Sequence, residues 1–530
     1  MKPISYESLV WSNVKNPEKH ATVKNIKQHA NCRSVVSQGF GRRGIFFLVN
    51  RSLKKSGKVG FFWMLMGTIG QNILQVASLL VLARFLSPED FGVVSLAVII
   101  VSFLKVFSEL GVGPALVQKK NISVVDIGTA NVISLSLGLV CASAIYLSSA
   151  GLADFFGMPQ LEDVLKVLAL MLPVASLSVV GQSLMQRRLR FKRLSSYIFI
   201  SYLLGYGFVS IGMSINGYGI WSLVFAHLTQ SVVMLALLLI CALDSRRFGF
   251  NVKSAINMMT FGVGYSLARV ANFSAGQGDN IVIGKLLGAE QLGLYGRAYQ
   301  IVTFPAIMFG SVVDKVYFPI MAEMKSDYEN LSRLYVSSVL LSSLLFSSVA
   351  FYCYVFSNEI VLILFGESWI EMAPILKILS FAMAFRIGYK YSDNLVMAVG
   401  RVYKRATIQV LYASFVVIFA VVGSTWGVEG VAVGVVVAVM LNYFLMMVMV
   451  WKIISFSCLH VLIHHVKHFC LAAIATSVYV FLFGINENEG IPSFLLHSLV
   501  YYMIFFALCY CVKGALKEEI DSIRFVIKKD

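Results

Sequence analysis

Charge is scarce in this chain. Asp, Glu, Lys and Arg make up 13% of its 530 residues against 58% apolar ones, and 27 acidic side chains face 44 basic ones. A water-soluble globular domain carries roughly 25% charge, so a single soluble core is excluded and the apolar surplus must face lipid. Cysteine pattern is missing too. The eight cysteines show neither disulfide nor zinc spacing, and Cys141, Cys241, Cys353, Cys470 and Cys509 fall in apolar stretches, where a thiol is a small apolar side chain. No G-x-x-x-x-G-K-[ST] phosphate loop occurs, which removes ATP hydrolysis by that route. There is no nucleophile elbow, no aspartate-rich sugar-nucleotide motif and no segment long enough for a soluble catalytic domain. The chain does not read as an enzyme, and no cofactor or metal is expected.

What is present is a series of long apolar runs. About fourteen stretches approach the ~20 residues that a bilayer-spanning helix needs, from roughly 60–82 to 492–512, with 256–280 and 292–314 the least apolar. An all-α polytopic membrane protein is expected. The loops on one side, together with both termini, hold most of the Lys and Arg; those on the other side hold only Arg84 and Lys285. Basic loops stay cytoplasmic, so both termini are expected inside and the loops near Ala153, Asn358 and Asn488 outside. The net charge of +17 is then a topology signal, and a nucleic-acid partner is not expected. Residues 1–58 form a basic extension without a long apolar run, neither signal peptide nor compact domain, and are expected to be cytoplasmic and disordered.

The membrane part is written twice. Arg84-Phe-Leu-Ser-Pro-Glu-Asp-Phe-Gly-Val-Val94 returns as Lys285-Leu-Leu-Gly-Ala-Glu-Gln-Leu-Gly-Leu-Tyr295, at an offset of 201 residues. Leu165-Lys166-Val167-Leu168 returns as Leu376-Lys377-Ile378-Leu379, and Gly219 as Gly430. Six spans per copy is an even number, so both copies enter the membrane from the same side, as parallel repeats do. The expected layout is an N-lobe over 59–250, a C-lobe over 251–455, two further spans over 456–512 and a cytoplasmic tail over 513–530. A duplicated polytopic unit is how many carriers build two lobes around a path.

Ionisable residues inside spans are costly and by default face a bundle interior or a watery cavity. The C-half holds Arg269, Arg297, Lys377, Arg386 and Lys390; the N-half holds Lys105 and Lys166. Arg269, Arg386, Arg297, Lys390 and Lys105 are read as a cationic cavity for an anion, because guanidinium groups grip phosphate oxygens bidentately. The plainer reading is internal pairing or snorkelling, with Lys390 pairing Asp393 one turn away. Glu109, Asp279 and Asp393 are the carboxylates available for ion coupling or gating. Lys105 and Glu109 are spaced as a structural helix pair, and Asp279 is expected to cap or pack the end of span 7. His460, His464, His465 and His468 lack a carboxylate or cysteine at ligand spacing and read as interfacial histidines. His227 reads as a hydrogen-bonded packing residue.

With these residues laid out, the chain resembles the polysaccharide-transport family of the multidrug/oligosaccharidyl-lipid/polysaccharide flippase superfamily. The likeness is sharpest at Asp279-Asn-Ile-Val-Ile-Gly-Lys-Leu-Leu-Gly288, then Leu292-Gly-Leu-Tyr-Gly-Arg297-Ala-Tyr299, Pro305 and Phe318-Pro319. Leu82-Ala-Arg84-Phe-Leu-Ser-Pro-Glu-Asp-Phe-Gly92 and Leu364-Phe-Gly366-Glu367-Ser-Trp369 also match. The long N-terminal extension, and Gly296 where the family often has Asn, depart from the pattern. The resemblance implies a flippase that carries a polyprenyl-diphosphate-linked oligosaccharide across the cytoplasmic (inner) membrane for exopolysaccharide, capsule or lipopolysaccharide assembly, working beside polymerase and export machinery. It implies alternating access by rocking lobes, driven by an ion gradient. A drug/cation antiporter of the same fold is the main alternative, but it calls for acidic cavity residues. A membrane polymerase or ligase, the other alternative, calls for a large outward loop.

Overall fold

The computed structural model describes residues 67, 70–241, 247–484, 490–514 and 516. The 1–58 extension, the loop at Asn488 and most of the 513–530 tail lie outside the described residues. Regular structure among the described residues is entirely helical. Helix α1 covers Gly70–Leu82. Helix α2 (Pro88–Glu109) opens on a reciprocal Ser87–Asp90 capping box with Pro88 in its first turn, and Leu110 at φ 34° ends it. A short α3 (Val112–Gln118) follows. Helix α4 (Val124–Phe156) has the same device, Ser123 with Asp126, and stops at Gly157 with φ 68°. Such boxes satisfy orphan amide donors at a helix start, which is why these boundaries sit at Ser-x-x-Asp.

The first half continues with α5 (Gln160–Ala169), α6 (Met171–Arg187), α7 (Phe191–Ile215) and α8 (Ile220–Cys241). The same order then recurs. Helices α9 (Val252–Leu286) and α10 (Gly288–Glu323) answer α1 and α2. Helices α11 (Tyr328–Val355) and α12 (Ser357–Leu364) answer α4. Helices α13 (Met372–Ser380) and α14 (Ala382–Ala398) answer α5 and α6. Helices α15 (Val402–Gly423) and α16 (Gly427–Trp451) answer α7 and α8. Two more, α17 (Cys458–Phe483) and α18 (Ile491–Cys511), complete the set.

Ten of the described helices are long and apolar enough to cross a membrane, or eleven when α13 and α14, bent by 41°, count as one broken span. The fourteen expected from sequence exceed this for identifiable reasons. Helix α1 has only thirteen described residues, α9 does not qualify, and α15 and α16 enter as one continuous stretch, Val402–Trp451. A helix pairs its backbone amides internally beyond its first turn, the arrangement a hydrocarbon solvent demands. Large apolar side chains point outward, with Leu147 82% and Phe481 89% exposed; in a bilayer these meet lipid. This is a multi-pass membrane protein.

Candidate functional site

At one end of the bundle the two halves meet backbone to backbone. Helices α2 and α10 cross where repeat-related glycines face each other. A Cβ added at Gly92 would stand 1.8 Å from the Ala289 carbonyl oxygen, and one at Gly293 would stand 1.9 Å from that of Pro88. Neither site has room for a side chain. Around this crossing, Arg84 donates from Nη2 to the carbonyls of Ile363 (2.5 Å) and Leu362 (3.2 Å) at the end of α12. Its repeat partner Lys285 donates to the carbonyl of Phe155 at the end of α4, with its ammonium 4.3 Å from that residue's ring centroid. Each half thus sends one cation to the unsatisfied carbonyls at a helix C-terminus of the other, where cations are favoured. Trp369, fully buried, donates from Nε1 to the Ala83 carbonyl at 3.0 Å and packs edge-on against Phe91 at 5.3 Å.

Next to the crossing lie two cavities that share α10 as a wall. The one in the second half, about 450 Å³, is bounded by α10, α14, α15 and α16 and is lined by Arg386, Lys390, Asp314, Tyr299, Gln409 and Asn442 among others. Arg386 sits one turn past the break between α13 and α14, with its guanidinium 4.7 Å from the Tyr299 ring centroid. Its Nε is buried without a hydrogen-bond partner, as are Gln409 Nε2 and Asn442 Oδ1. Among the described residues no carboxylate pairs with Arg386. A buried polar atom left unpaired is costly, and three of them line this cavity.

Lys390 lines the same cavity, but its charge is matched. Its ammonium lies 3.1 Å from Asp314 of α10, and Asn394 donates to the other Asp314 oxygen at 2.8 Å. The expected pairing with Asp393 does not form. Asp393 instead accepts from Arg405 at the start of α15 and from the Tyr389 hydroxyl at 3.2 Å. Helix periodicity cannot see partners arriving from other helices, and here two such partners win.

The cavity in the first half, about 310 Å³, lies among α1, α2, α7, α8 and α10. The structure places Arg297 here and not beside Arg386. Its Nη1 donates to Gln300 at 2.7 Å, its Nη2 to Ser95 at 3.0 Å, and its guanidinium stands 4.9 Å from the Phe91 ring centroid. His227 shares a 2.7 Å hydrogen bond with the Tyr206 hydroxyl, the packing role read from sequence.

Arg269 and Lys105 line neither cavity. Arg269 of α9 donates to Glu109 of α2 at 2.7 Å, and Lys105 lies 3.8 Å from the other Glu109 oxygen. One carboxylate therefore bridges cations of both halves. Asp279 neither ends nor caps its helix, because α9 runs on to Leu286. It is buried, and it accepts the Tyr295 hydroxyl at 2.7 Å. His464, His465 and His468, in the first three turns of α17, are packed against protein and buried, with His465 sharing a 3.0 Å hydrogen bond with Tyr443. Sequence reading missed Asp314 and the neutral polar lining, Tyr206, Gln75 and Gln230. Asp314 was detectable as a lone carboxylate at the end of an apolar run.

Two repeat-related sets of helices, joined at one end and each flanking a polar cavity with a half-buried arginine, make up this multi-pass membrane bundle. The chain belongs to the polysaccharide biosynthesis protein family, whose pattern matches residues 81–374, more than half its length. It is similar to the succinoglycan biosynthesis transport protein ExoT of Rhizobium meliloti (strain 1021), 27% identical over 60% of this chain and 64% of that one, just under two thirds of its length. It is similar also to the lipopolysaccharide biosynthesis protein WzxC of Escherichia coli (strain K12), 25% identical over 74% of this chain and 82% of that one. Among solved structures it shares the fold of the lipid II flippase MurJ in an inward closed conformation, with a TM-score of 0.68 and 14% identity over 86% of this chain and 99% of that one. It also shares the fold of a multidrug resistance MATE family transporter of the MOP superfamily in an inward-facing conformation, with a TM-score of 0.56 and 16% identity over 72% of this chain and 94% of that one.

Proposed function

We propose that this protein is a flippase that moves a polyprenyl-diphosphate-linked oligosaccharide across the cytoplasmic membrane for exopolysaccharide, capsule or lipopolysaccharide assembly. The observation that carries the reading is Arg386: a guanidinium in a membrane cavity, with no carboxylate within ion-pair distance among the described residues and with a buried donor unused. A diphosphate supplies the missing acceptors, and a guanidinium fork matches its oxygens. The names of ExoT and WzxC, a transport protein and a biosynthesis protein of surface polysaccharides, point the same way. The antiporter reading is weaker here, because the carboxylate lining this cavity, Asp314, is already neutralised by Lys390. The test is a deletion strain. Without the protein, lipid-linked oligosaccharide accumulates on the cytoplasmic leaflet and surface polymer disappears; restoring the gene reverses both. Normal polymer in the deletion strain would contradict the reading.

In this reading 59–250 and 251–455 are rocking lobes, fourteen spans cross the membrane, and the closed crossing of α2 and α10 faces outward. The lobes open inward to load cargo, and the clasp at Arg84 and Lys285 releases to let it out toward the polymerase and export machinery. Glu109 is the best placed of the three candidate carboxylates for coupling to an ion gradient, since it holds cations of both halves at once. Reporter fusions at Ala153 and Asn358 should read as outside and one at the C-terminus as inside; a C-terminus read outside would break the fourteen-span arrangement. Truncation before Lys54 should leave export intact at equal protein abundance, since that segment lies outside both repeats.

A further inference from the structure

The first-half cavity differs in chemistry from the second-half one. Arg297 is the sole cation lining it; its two Nη groups are engaged with Gln300 and Ser95, and its Nε, like that of Arg386, is buried without a hydrogen-bond partner. The rest of its polar lining is neutral, including Gln71, Gln75, Gln230, His227 and Tyr206. Among the described residues no protein group hydrogen-bonds the side-chain amides of Gln75 and Gln230, which face the cavity as free donors and acceptors. A diphosphate only accepts, whereas a sugar hydroxyl both donates and accepts, as a carboxamide does. The lining therefore suits hydroxyls.

A second observation is aromatic. Tyr202 and Tyr206 stack in the cavity wall, ring centroids 4.5 Å apart and planes within 8°. They stand at the start of an eight-residue π-helical segment, Leu203–Ser210, which interrupts α7. Such segments are rare and recur at functional sites. The face of an aromatic ring carries negative quadrupole density and attracts the C–H groups of a pyranose. A third observation is spacing. Arg297 and Gln300 line this cavity while Tyr299 and Thr303 line that of Arg386, so the two lie on different faces of α10, on either side of a helix ~10 Å thick. The volume, about 310 Å³, is at the low end of the range for small-molecule sites, roughly 300–1,000 Å³, which suits one sugar ring and not a chain.

We infer that the first-half cavity is a glycan subsite that holds the neutral sugar next to the diphosphate, with Gln75, Gln230 and the Tyr202–Tyr206 platform as its recognition elements. This rests on the flippase reading and adds a selectivity filter to it: the lobe holding the diphosphate anchors any cargo, and this lobe reads the first sugar.

The test uses the purified full-length protein in lipid nanodiscs and four probes. These are undecaprenyl diphosphate, and the same lipid bearing one glucose, one galactose or one N-acetylglucosamine. At least one sugar-bearing probe should bind the wild type about tenfold more tightly than the bare lipid, the scale of two neutral hydrogen bonds. In Gln75→Ala/Gln230→Ala that ratio should fall to about one, while the affinity for the bare lipid, which also reports correct folding, stays within about twofold. Tyr206→Ala should lose the ratio and Tyr206→Phe, which keeps the ring, should retain most of it. Arg386→Ala should weaken all four probes together. Equal binding of bare and sugar-bearing lipids by the wild type, or an unchanged ratio in the double variant, would overturn the subsite. Failure of the wild type to bind any of the four would bring down the flippase reading itself.

Discussion

Cells that rely on this protein for polymer export should lose nearly all of it when Arg386 is replaced by alanine, with the protein as abundant in the membrane as before. The guanidinium makes no ion pair among the described residues, so its removal breaks no salt bridge and the fold should tolerate the loss. The cargo does not. A hydrogen bond to a charged group is worth about 1.5–3 kcal/mol, and losing it weakens binding roughly 10- to 150-fold. Arg386→Lys should keep part of the activity, since charge survives and the bidentate fork does not. Arg386→Gln exporting normally at normal abundance would remove the cationic cavity from the mechanism. Arg269→Ala acts differently: it frees Glu109 from its cross-half partner, so Arg269→Lys, which can keep that ion pair, should retain most of the export that Arg269→Ala loses. Export titres of the two variants at equal abundance check this.

Gly92→Leu should abolish transport by a separate route. Its Cβ would stand 1.8 Å from the Ala289 carbonyl oxygen, a backbone atom that cannot rotate aside, so α2 and α10 must part. Overpacking of this kind costs about 1–3 kcal/mol or more, enough to shift a two-state equilibrium by roughly 5- to 150-fold. The state in which this end is closed should be depopulated. Spin labels on Glu89 and Glu290, both exposed beside the crossing, should report a longer distance in Gly92→Leu than in the wild type. Arg84→Ala/Lys285→Ala should shift the same distance by less, because it loosens the clasp without a clash. Normal export by Gly92→Leu with an unchanged label distance would show that this contact does not gate the path.

Much of this was legible before any coordinates. The copied segments that reveal the repeat also contain the contacts that join the halves. Gly92 and Gly293 fall at one offset because each supplies the bare backbone that the other's helix crosses. Arg84 and Lys285 looked only like two exceptions to a one-sided charge distribution; they are the clasp. A sequence shows that two positions correspond, but not that each reaches the other's neighbour. The cationic set was readable as a list and not as a site. Arg386 and Lys390 share a cavity as their helix spacing implies, whereas Arg297 and Arg269 go elsewhere, because their orientation is set by packing across α2. Lys390 and Asp393 part company for the same reason, drawn off by Asp314 and Arg405. Tyr202, Tyr206 and the glutamines escaped notice because a search for ionisable groups passes over neutral ones, and nothing local marks a π-helical segment.

The central claim is transport of a lipid-linked sugar. Its most direct measurement uses proteoliposomes containing the purified protein and an undecaprenyl-diphosphate-linked fluorescent oligosaccharide, with proton and sodium gradients imposed in turn. Exposure of the fluorophore at the far leaflet is followed with a membrane-impermeant quencher. The expected result is protein-dependent flipping that rises with one of the two gradients and is lost in Arg386→Gln. Flipping no faster than in empty liposomes under either gradient, or equal rates for the wild type and Arg386→Gln, would contradict it.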